Sequence, residues 1–300
     1  MSSAKRASEL KRFFENAGSL IGASWQDVLM DNAQRVSGPL ATRMLSQIGI
    51  TQETTMPFRL FDNACGAGAV AQEVHRLVKP EVLQKSSILC GDFSDPSVEL
   101  SRKRAEEEGW VNTNAEKIDA QKTGLPSGEF SHVTTNIGFH VVPDSKAALD
   151  EAIRILKPGG TLGFTTWAQM PGWAEDLQSA FASFPFEAPF SFGVQTTEWG
   201  NWGDVDWIRK ELEERGLEDV KVELFAFTSH VDNVEHYIAT AGMMIDWVVS
   251  SNWSEEVRKE HGRDEYQRLV KDFLEHKYDG KGWDQKWVAV VASGRVLARR

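Results

Sequence analysis

Between Pro57 and Trp167 the chain alternates short apolar stretches with helix-length amphipathic ones, and no other feature constrains its fold as tightly. Parallel strands cannot be joined by tight turns, so each needs a crossover, and this rhythm reads as a parallel sheet covered by helices. Phe58 to Phe61 is expected as the first strand, followed by a glycine-containing turn and a helix from about Gly68 to Val78 with Val70, Val74 and Leu77 on one face. Ser87 to Cys90 reads as the second strand, and Asp95-Pro96 opens the next helix. Further strands are expected over Val111 to Ile118, Ser131 to Thr135 and Leu162 to Thr166. A helix from about Ser145 to Leu156 is stopped by Lys157-Pro158-Gly159-Gly160.

Beyond Trp167 the rhythm changes. Two more strands, Glu218 to Phe227 and Lys286 to Ser293, are separated by two expected helices, about Val234 to Val249 and Ser254 to Tyr278, the second capped by Asn252. Before residue 57 the pattern is helical, with Leu10, Phe13 and Phe14, then Leu40, Met44, Leu45 and Ile48, at helical spacings. The expected organisation is an N-terminal helical arm over 1–56, folded across the ligand edge of the sheet, and an α/β domain over 57–300 in which 168–218 and 229–284 form a cover.

Composition narrows the partners. With 33 Lys+Arg against 44 Asp+Glu the formal net charge is −11, which disfavours a nucleic acid or an anionic membrane, whose phosphates draw on basic side chains. The longest apolar runs, such as Val288 to Ala292, are of strand length, and the first dozen residues carry Lys5, Arg6, Glu9, Lys11 and Arg12 with no signal-like stretch behind them. Two cysteines, Cys65 and Cys90, make no disulfide framework and read as reduced and buried, so a cytoplasmic setting is expected. No histidine, cysteine and carboxylate spacing suggests a metal. Tryptophan is over-represented, at 11 against 3 tyrosines.

The chemistry gathers at strand ends. Asp62-Asn63-Ala64-Cys65-Gly66-Ala67-Gly68 follows the first strand and opens a helix, where doubly wound sheets bind ligands and glycine lets the backbone approach closely. Gly66 to Ala71 also fits the dinucleotide fingerprint, so a nicotinamide or flavin enzyme has to be weighed. Against it stands Asp62, whose carboxylate would repel a pyrophosphate and suit a ligand with a cationic ammonium or sulfonium. Asp92, after the second strand, can accept from ribose hydroxyls. Asp119, after the third, can accept from an adenine amine, with Phe93 as an apolar wall.

Leu60 to Gly68, Gly91-Asp92-Phe93-Ser94, Asp119-Ala120 with Leu125-Pro126, and Arg154 to Gly160 together resemble the successive motifs of class I S-adenosylmethionine-dependent methyltransferases. The wording is similar to the ubiquinone-biosynthesis-like group and to fungal secondary-metabolite small-molecule enzymes, including dithiol S-methyltransferases. The resemblance implies a Rossmann-like α/β sheet of seven strands, the last antiparallel, with a helical lid between strands six and seven, and S-adenosyl-L-methionine as cofactor. Carried over by position, Asp62 and Gly66, within the turn formed by Ala64, Gly66 and Gly68, would lie against the methionine moiety. Asp92 would hold the ribose, Asp119 and Ala120 the adenine, and Asn136 would sit beside the cofactor. Ala64 stands where the family's turn has its first glycine.

Methyl transfer from a sulfonium is an in-line displacement, so a base is optional and the acceptor atom can be O, N or S. His140, after the fourth strand, is the candidate catalytic residue, with a place at the start of a helix as the alternative reading. Nine of the 11 tryptophans fall at or after the end of the fifth expected strand. They favour an apolar or aromatic acceptor, with Trp25, Trp167, Trp173, Trp247 and His140 as candidate lining residues. An alternative use of the same fold is cofactor binding without methyl transfer, as in a pericyclase-like enzyme or a regulatory subunit.

Overall fold

A computed structural model describes residues 24–195 and 197–298. Seven strands form one sheet: β1 (Arg59–Asn63), β2 (Ser87–Asp92), β3 (Thr113–Lys117), β4 (Phe130–Asn136), β5 (Leu156–Trp167), β6 (Leu217–Val231) and β7 (Trp283–Val296). Their spatial order is β3-β2-β1-β4-β5-β7-β6. β1 pairs in parallel with β2 on one side and β4 on the other, so the strand order reverses beside it. The crevice at the carboxyl ends of β1 and β4 is thus the point where such sheets take ligands. β7 runs antiparallel between β5 and β6, which completes the expected seven-stranded Rossmann-like arrangement.

Alternation along β1 sorts the two faces. Leu60 joins Met44, Leu45, Ile48, Val70 and Val74 on one face. Phe61 joins Val133, Phe139, Leu149, Phe164 and Trp202 on the other. The first face is covered by α2 (Gly38–Gln47), α3 (Ala69–Leu77) and α5 (Asp95–Glu107), and the second by α6 (Ser145–Ile155) and α8 (Val205–Glu214). The short α4 (Pro80–Leu83) leads into β2.

The arm does two things rather than one. Its first described helix, α1 (Ser24–Asn32), runs through a π-helical turn (Ala33–Ser37) into α2. A side chain on Gly38 would meet the Ala33 carbonyl oxygen at 2.9 Å, so glycine is needed where the wider turn closes. α2 then lies directly on the sheet, because Gly163 leaves room there: a Cβ on it would meet Ile48 at 2.6 Å. Among the described residues of the arm, α1 and the π-helical turn are the parts that line the cavity at the ligand edge. Leu10, Phe13 and Phe14 lie outside the described residues.

The cover consists of α7 (Gly172–Ala182) and the loop after it, and of three helices inserted between β6 and β7: α9 (Val234–Asn252), α10 (Glu255–Glu260) and α11 (Arg263–Tyr278). The single helix expected from Ser254 to Tyr278 is broken at His261-Gly262. Its cap is Ser254, which accepts from the Val257 N–H at 3.2 Å, whereas Asn252 bonds back to the Val248 carbonyl. β6 and β7 are longer than expected, since their mutual ladder continues from Phe227–Trp287 to Val231–Trp283. The ring of Asp176 contacts fastens the insert: its carboxylate accepts from Lys277 at 2.8 Å, Tyr278 at 2.6 Å and Trp283 at 2.9 Å.

Candidate active site

Asp62, next to last in β1, is fully buried. Its Oδ1 accepts from the Thr134 hydroxyl on β4 at 3.0 Å, while Oδ2 has no partner among the described residues. Burial, with the Asp92 charge nearby and only Thr134 opposing, pushes its pKa up to about 7. A carboxylate kept in this state costs stability and suits a ligand that delivers a cation.

The turn after Asp62 is made by left-handed backbone at Ala64 (φ 56°), Gly66 (φ 54°) and Gly68 (φ 74°). Ala64 tolerates that conformation at a cost glycine would avoid. A Cβ on Gly68 would press on Trp110 at 3.0 Å, but one on Gly66 would meet no protein atom within 4 Å. Gly66 therefore borders open space, and its φ rather than a neighbouring residue enforces glycine. The turn is pinned from behind: Cys65 N–H donates to the Gly91 carbonyl at 3.0 Å, Ser101 Oγ to the Gly66 carbonyl at 2.8 Å, and Arg104 to the Ala67 carbonyl. The Cys65 thiol, beside Cys90 and buried, is pushed well above the ordinary cysteine range, so it packs as a thiol rather than acting as a nucleophile.

Asp92 is placed as expected at the end of β2 and already works for the turn. Its Oδ2 accepts from the Gly66 N–H and its Oδ1 from the Ser94 N–H, both at 2.9 Å. Burial raises its pKa against these backbone bonds. Each carboxylate oxygen retains a second lone pair for a ligand hydroxyl.

Asn136, at the end of β4, is a fastener. Its Nδ2 donates to the Ser37 carbonyl of the π-helical turn at 2.9 Å, and its Oδ1 accepts from Thr165 Oγ1 at 2.6 Å. The next residue, Ile137, is β-branched yet has φ 58°, with its N–H held by Thr165 Oγ1 at 2.9 Å. Asn136, Ala64, Gly66 and Val70 enclose one side of a 130 Å³ cavity, and the arm closes the other with Leu29, Asn32, Ala33 and Ser37. Sequence reasoning named the turn but not these arm residues or Thr134. Their apolar and small-polar identities carry no signal apart from their position.

Farther along the same edge, Phe93 is half-buried after β2 and Ala120 is buried after β3. Asp119 is exposed and accepts from the Gln121 N–H at 2.9 Å and its side-chain amide at 2.8 Å. The Ile118 N–H bonds the Asp92 carbonyl at 2.9 Å, which keeps these two strand ends together.

His140 does not start a helix: α6 begins at Ser145 and is capped by Asp144, which accepts from the Ala147 N–H at 2.9 Å. It lies buried in the loop after β4, where desolvation lowers its pKa to about 3. A base that weak is poorly matched to proton abstraction near neutral pH.

The tryptophans divide. Trp199, Trp202 and Trp207 pack together with Phe139 and Phe164 on the α6 and α8 face, and Trp202 Nε1 donates to Ser145 Oγ at 3.2 Å. These three are core, which corrects the expectation of a tryptophan-rich cover as a whole. Trp167 meets Trp287 at 5.2 Å with the rings tilted, in a cluster with Val36 and Leu40 of the arm, to which Ile137 and Trp173 also pack. Trp173 meets Phe192 edge-on at 4.9 Å, and Phe192 meets Trp247 edge-on at 5.6 Å. Trp25 opens α1, with its side chain outside the described set.

A small-residue turn with open space at Gly66, an unpartnered buried carboxylate before it and a second acid at the neighbouring strand end fit the ammonium and ribose of S-adenosylmethionine. The comparisons agree. Residues 60–160 match the methyltransferase domain family. The chain is 30% identical over 264 residues to methyltransferase tpcH of Aspergillus fumigatus, covering 87% of this chain and 93% of that one. It is 28% identical over 250 residues to the acetylaranotin bis-thiomethyltransferase of Aspergillus terreus, covering 82% and 85%. Among solved structures, YcgJ of Bacillus subtilis superposes with a TM-score of 0.53 at 16% identity, over 86% of this chain and 98% of that one, a likeness of fold. The named activities of the relatives favour methyl transfer over a fold that binds the cofactor without using it. The chain belongs to the class I S-adenosylmethionine-dependent methyltransferases, in the company of fungal methyltransferases.

Proposed function

We propose that the acceptor is an apolar or aromatic small molecule of the kind made in fungal secondary metabolism, bound between the carboxyl end of β4 and the cover. The observation that carries this reading is the continuous apolar wall of Ile137, Trp167, Trp173, Phe192 and Trp247, which begins one residue beyond the cavity-lining Asn136. Large rings of this kind suit a flat apolar ligand. When bound, the cofactor supplies an electrophilic methyl on a sulfonium.

The chain's own residues then bind, orient and exclude water. Asp62 Oδ2 receives the ammonium, Asp92 accepts from the ribose hydroxyls, and Asp119 with Ala120 and Phe93 receives the adenine. Asn136 holds the arm over the methionine end. His140, neutral at physiological pH, contributes shape and hydrogen bonding rather than general-base catalysis. This assignment fits an acceptor that ionises readily, such as a thiol or an acidic phenol.

The test is transfer of labelled methyl from S-adenosylmethionine to a panel of aromatic thiols, phenols and small polar amines. Turnover confined to the apolar thiols and phenols is expected. Turnover confined to small polar amines would refute the reading.

A further inference from the structure

Three buried indole N–H groups in the later part of the chain have side-chain acceptors: Trp202 on Ser145 at 3.2 Å, Trp283 on Asp176 at 2.9 Å and Trp287 on Ser229 at 2.8 Å. Three buried side-chain nitrogens in the cover and the strand beneath it do not, among the described residues: Trp247 Nε1, Trp253 Nε1 and Gln285 Nε2. An indole nitrogen can only donate, and a buried donor left unpaired costs about 1–3 kcal/mol.

Two of the three belong to residues in or beside the apolar wall. Trp247, 5% exposed on α9, reaches Trp173 through Phe192. Gln285, also 5% exposed, lies against the turn that starts α7, its Cβ 3.0 Å from where a side chain on Gly172 would begin. Trp173 itself is tied down by the Tyr237 hydroxyl, which donates to its carbonyl at 2.7 Å. Trp253 is different. Its ring partners Phe181, Phe184, Phe186 and Tyr266 all belong to the cover, and none of them packs with the Trp167 and Ile137 cluster.

We propose that Trp247 is a specificity residue: its indole N–H donates to an oxygen of the methyl acceptor, with the Gln285 carboxamide as a second donor. The acceptor is then a flat apolar molecule that carries a carbonyl or comparable oxygen away from the atom to be methylated. This rests on the apolar-acceptor reading above and adds the polar contact that orients the ligand. A purely hydrocarbon ligand would bury Trp247 Nε1 without satisfying it.

The experiment compares α-tetralone with tetralin, equal in size and different in one carbonyl, on protein saturated with S-adenosylhomocysteine. Affinities are read by ligand-observed NMR and contacts by the indole resonances of 15N-tryptophan-labelled protein. Wild type and Trp253→Phe are expected to bind α-tetralone about tenfold more tightly than tetralin, the worth of one hydrogen bond to a buried donor. Trp247→Phe, which keeps an aromatic ring but drops the N–H and part of the indole volume, should bind the two within about twofold, with S-adenosylhomocysteine affinity unchanged as the check that it folds. The resonance missing from Trp247→Phe should move with α-tetralone and stay put with tetralin. Equal affinities in wild type, or a preference that survives in Trp247→Phe, would overturn the proposal. Failure of both probes to bind while S-adenosylhomocysteine still does would instead overturn the apolar-acceptor reading beneath it.

Discussion

The cofactor turn and the cover are built by opposite means. At the turn, specificity is written into the backbone: three left-handed residues at the alternate positions Ala64, Gly66 and Gly68, pinned by Asp92, Ser101 and Arg104, beside one buried carboxylate. In the cover it is written into ring volume, with Trp173, Phe192 and Trp247 in edge-on contact and few polar groups besides. A backbone device recognises one fixed ligand and leaves little room for substitution. A wall of side chains can be rebuilt residue by residue while the fold stays the same.

The sharpest way to break this contrast is Gly66→Val. No protein atom opposes the new side chain, but a β-branched residue at φ 54° is strained and fills the open side of the turn. Affinity for S-adenosylhomocysteine should fall by on the order of a hundredfold or more in calorimetry. Asp62→Asn should cost about ten- to hundredfold in the same titration and raise the melting temperature of the free enzyme, because a buried carboxyl with one unpartnered oxygen is replaced by a neutral amide. A lowered melting temperature would show that Asp62 supports the fold instead.

Asp62 also sets a pH dependence. Its pKa near 7 lies above the ordinary 3.8, so its ionised form, the one that pairs with an ammonium, is present above about pH 7 and lost as pH falls through that value. Cofactor affinity should decline over that range. The free protein should behave oppositely: the stability that Asp62 contributes is full below about pH 4 and gone once pH has risen through 7. Thermal melts from pH 4 to 8, with and without S-adenosylhomocysteine, separate the two trends.

Asp92→Ala removes the acceptor for the Gly66 and Ser94 N–H groups as well as the proposed ribose contact, and should weaken cofactor binding by about 1.5–3 kcal/mol. On the cover side, Trp173→Ala should leave S-adenosylhomocysteine affinity within about twofold while reducing methylation of the apolar panel several-fold, the smallest effect on the cofactor and the one that isolates the acceptor wall. A large loss of cofactor affinity there would merge the two regions into one site.

Much of this was legible in the chain. The alternation from Pro57 to Trp167 gave the parallel strands because each strand's apolar run and each crossover helix are local patterns. Asp62, Gly66, Gly68 and Asp92 were visible because the chemistry they serve depends on residue type at a fixed distance from a strand end. Other features were not visible. The break at His261-Gly262 follows no strong helix-stopping signal beyond one glycine. The role of Asn136 depends on Ser37, 99 residues away, and on Thr165. Trp202 and Trp247 look alike in sequence, and only packing sends one to the core and leaves the other's N–H without a partner.

The sequence by itself determined the sheet, the ligand edge and the cofactor class, since periodicity, glycine and charge act through the backbone within a few residues. Tertiary structure alone decided which described segment of the arm closes the cavity, that burial lifts the Asp62 pKa to about 7, that burial makes His140 a weak base, and which tryptophans pack into the sheet core. Each of these is set by burial, and burial is fixed only when distant parts of the chain come together.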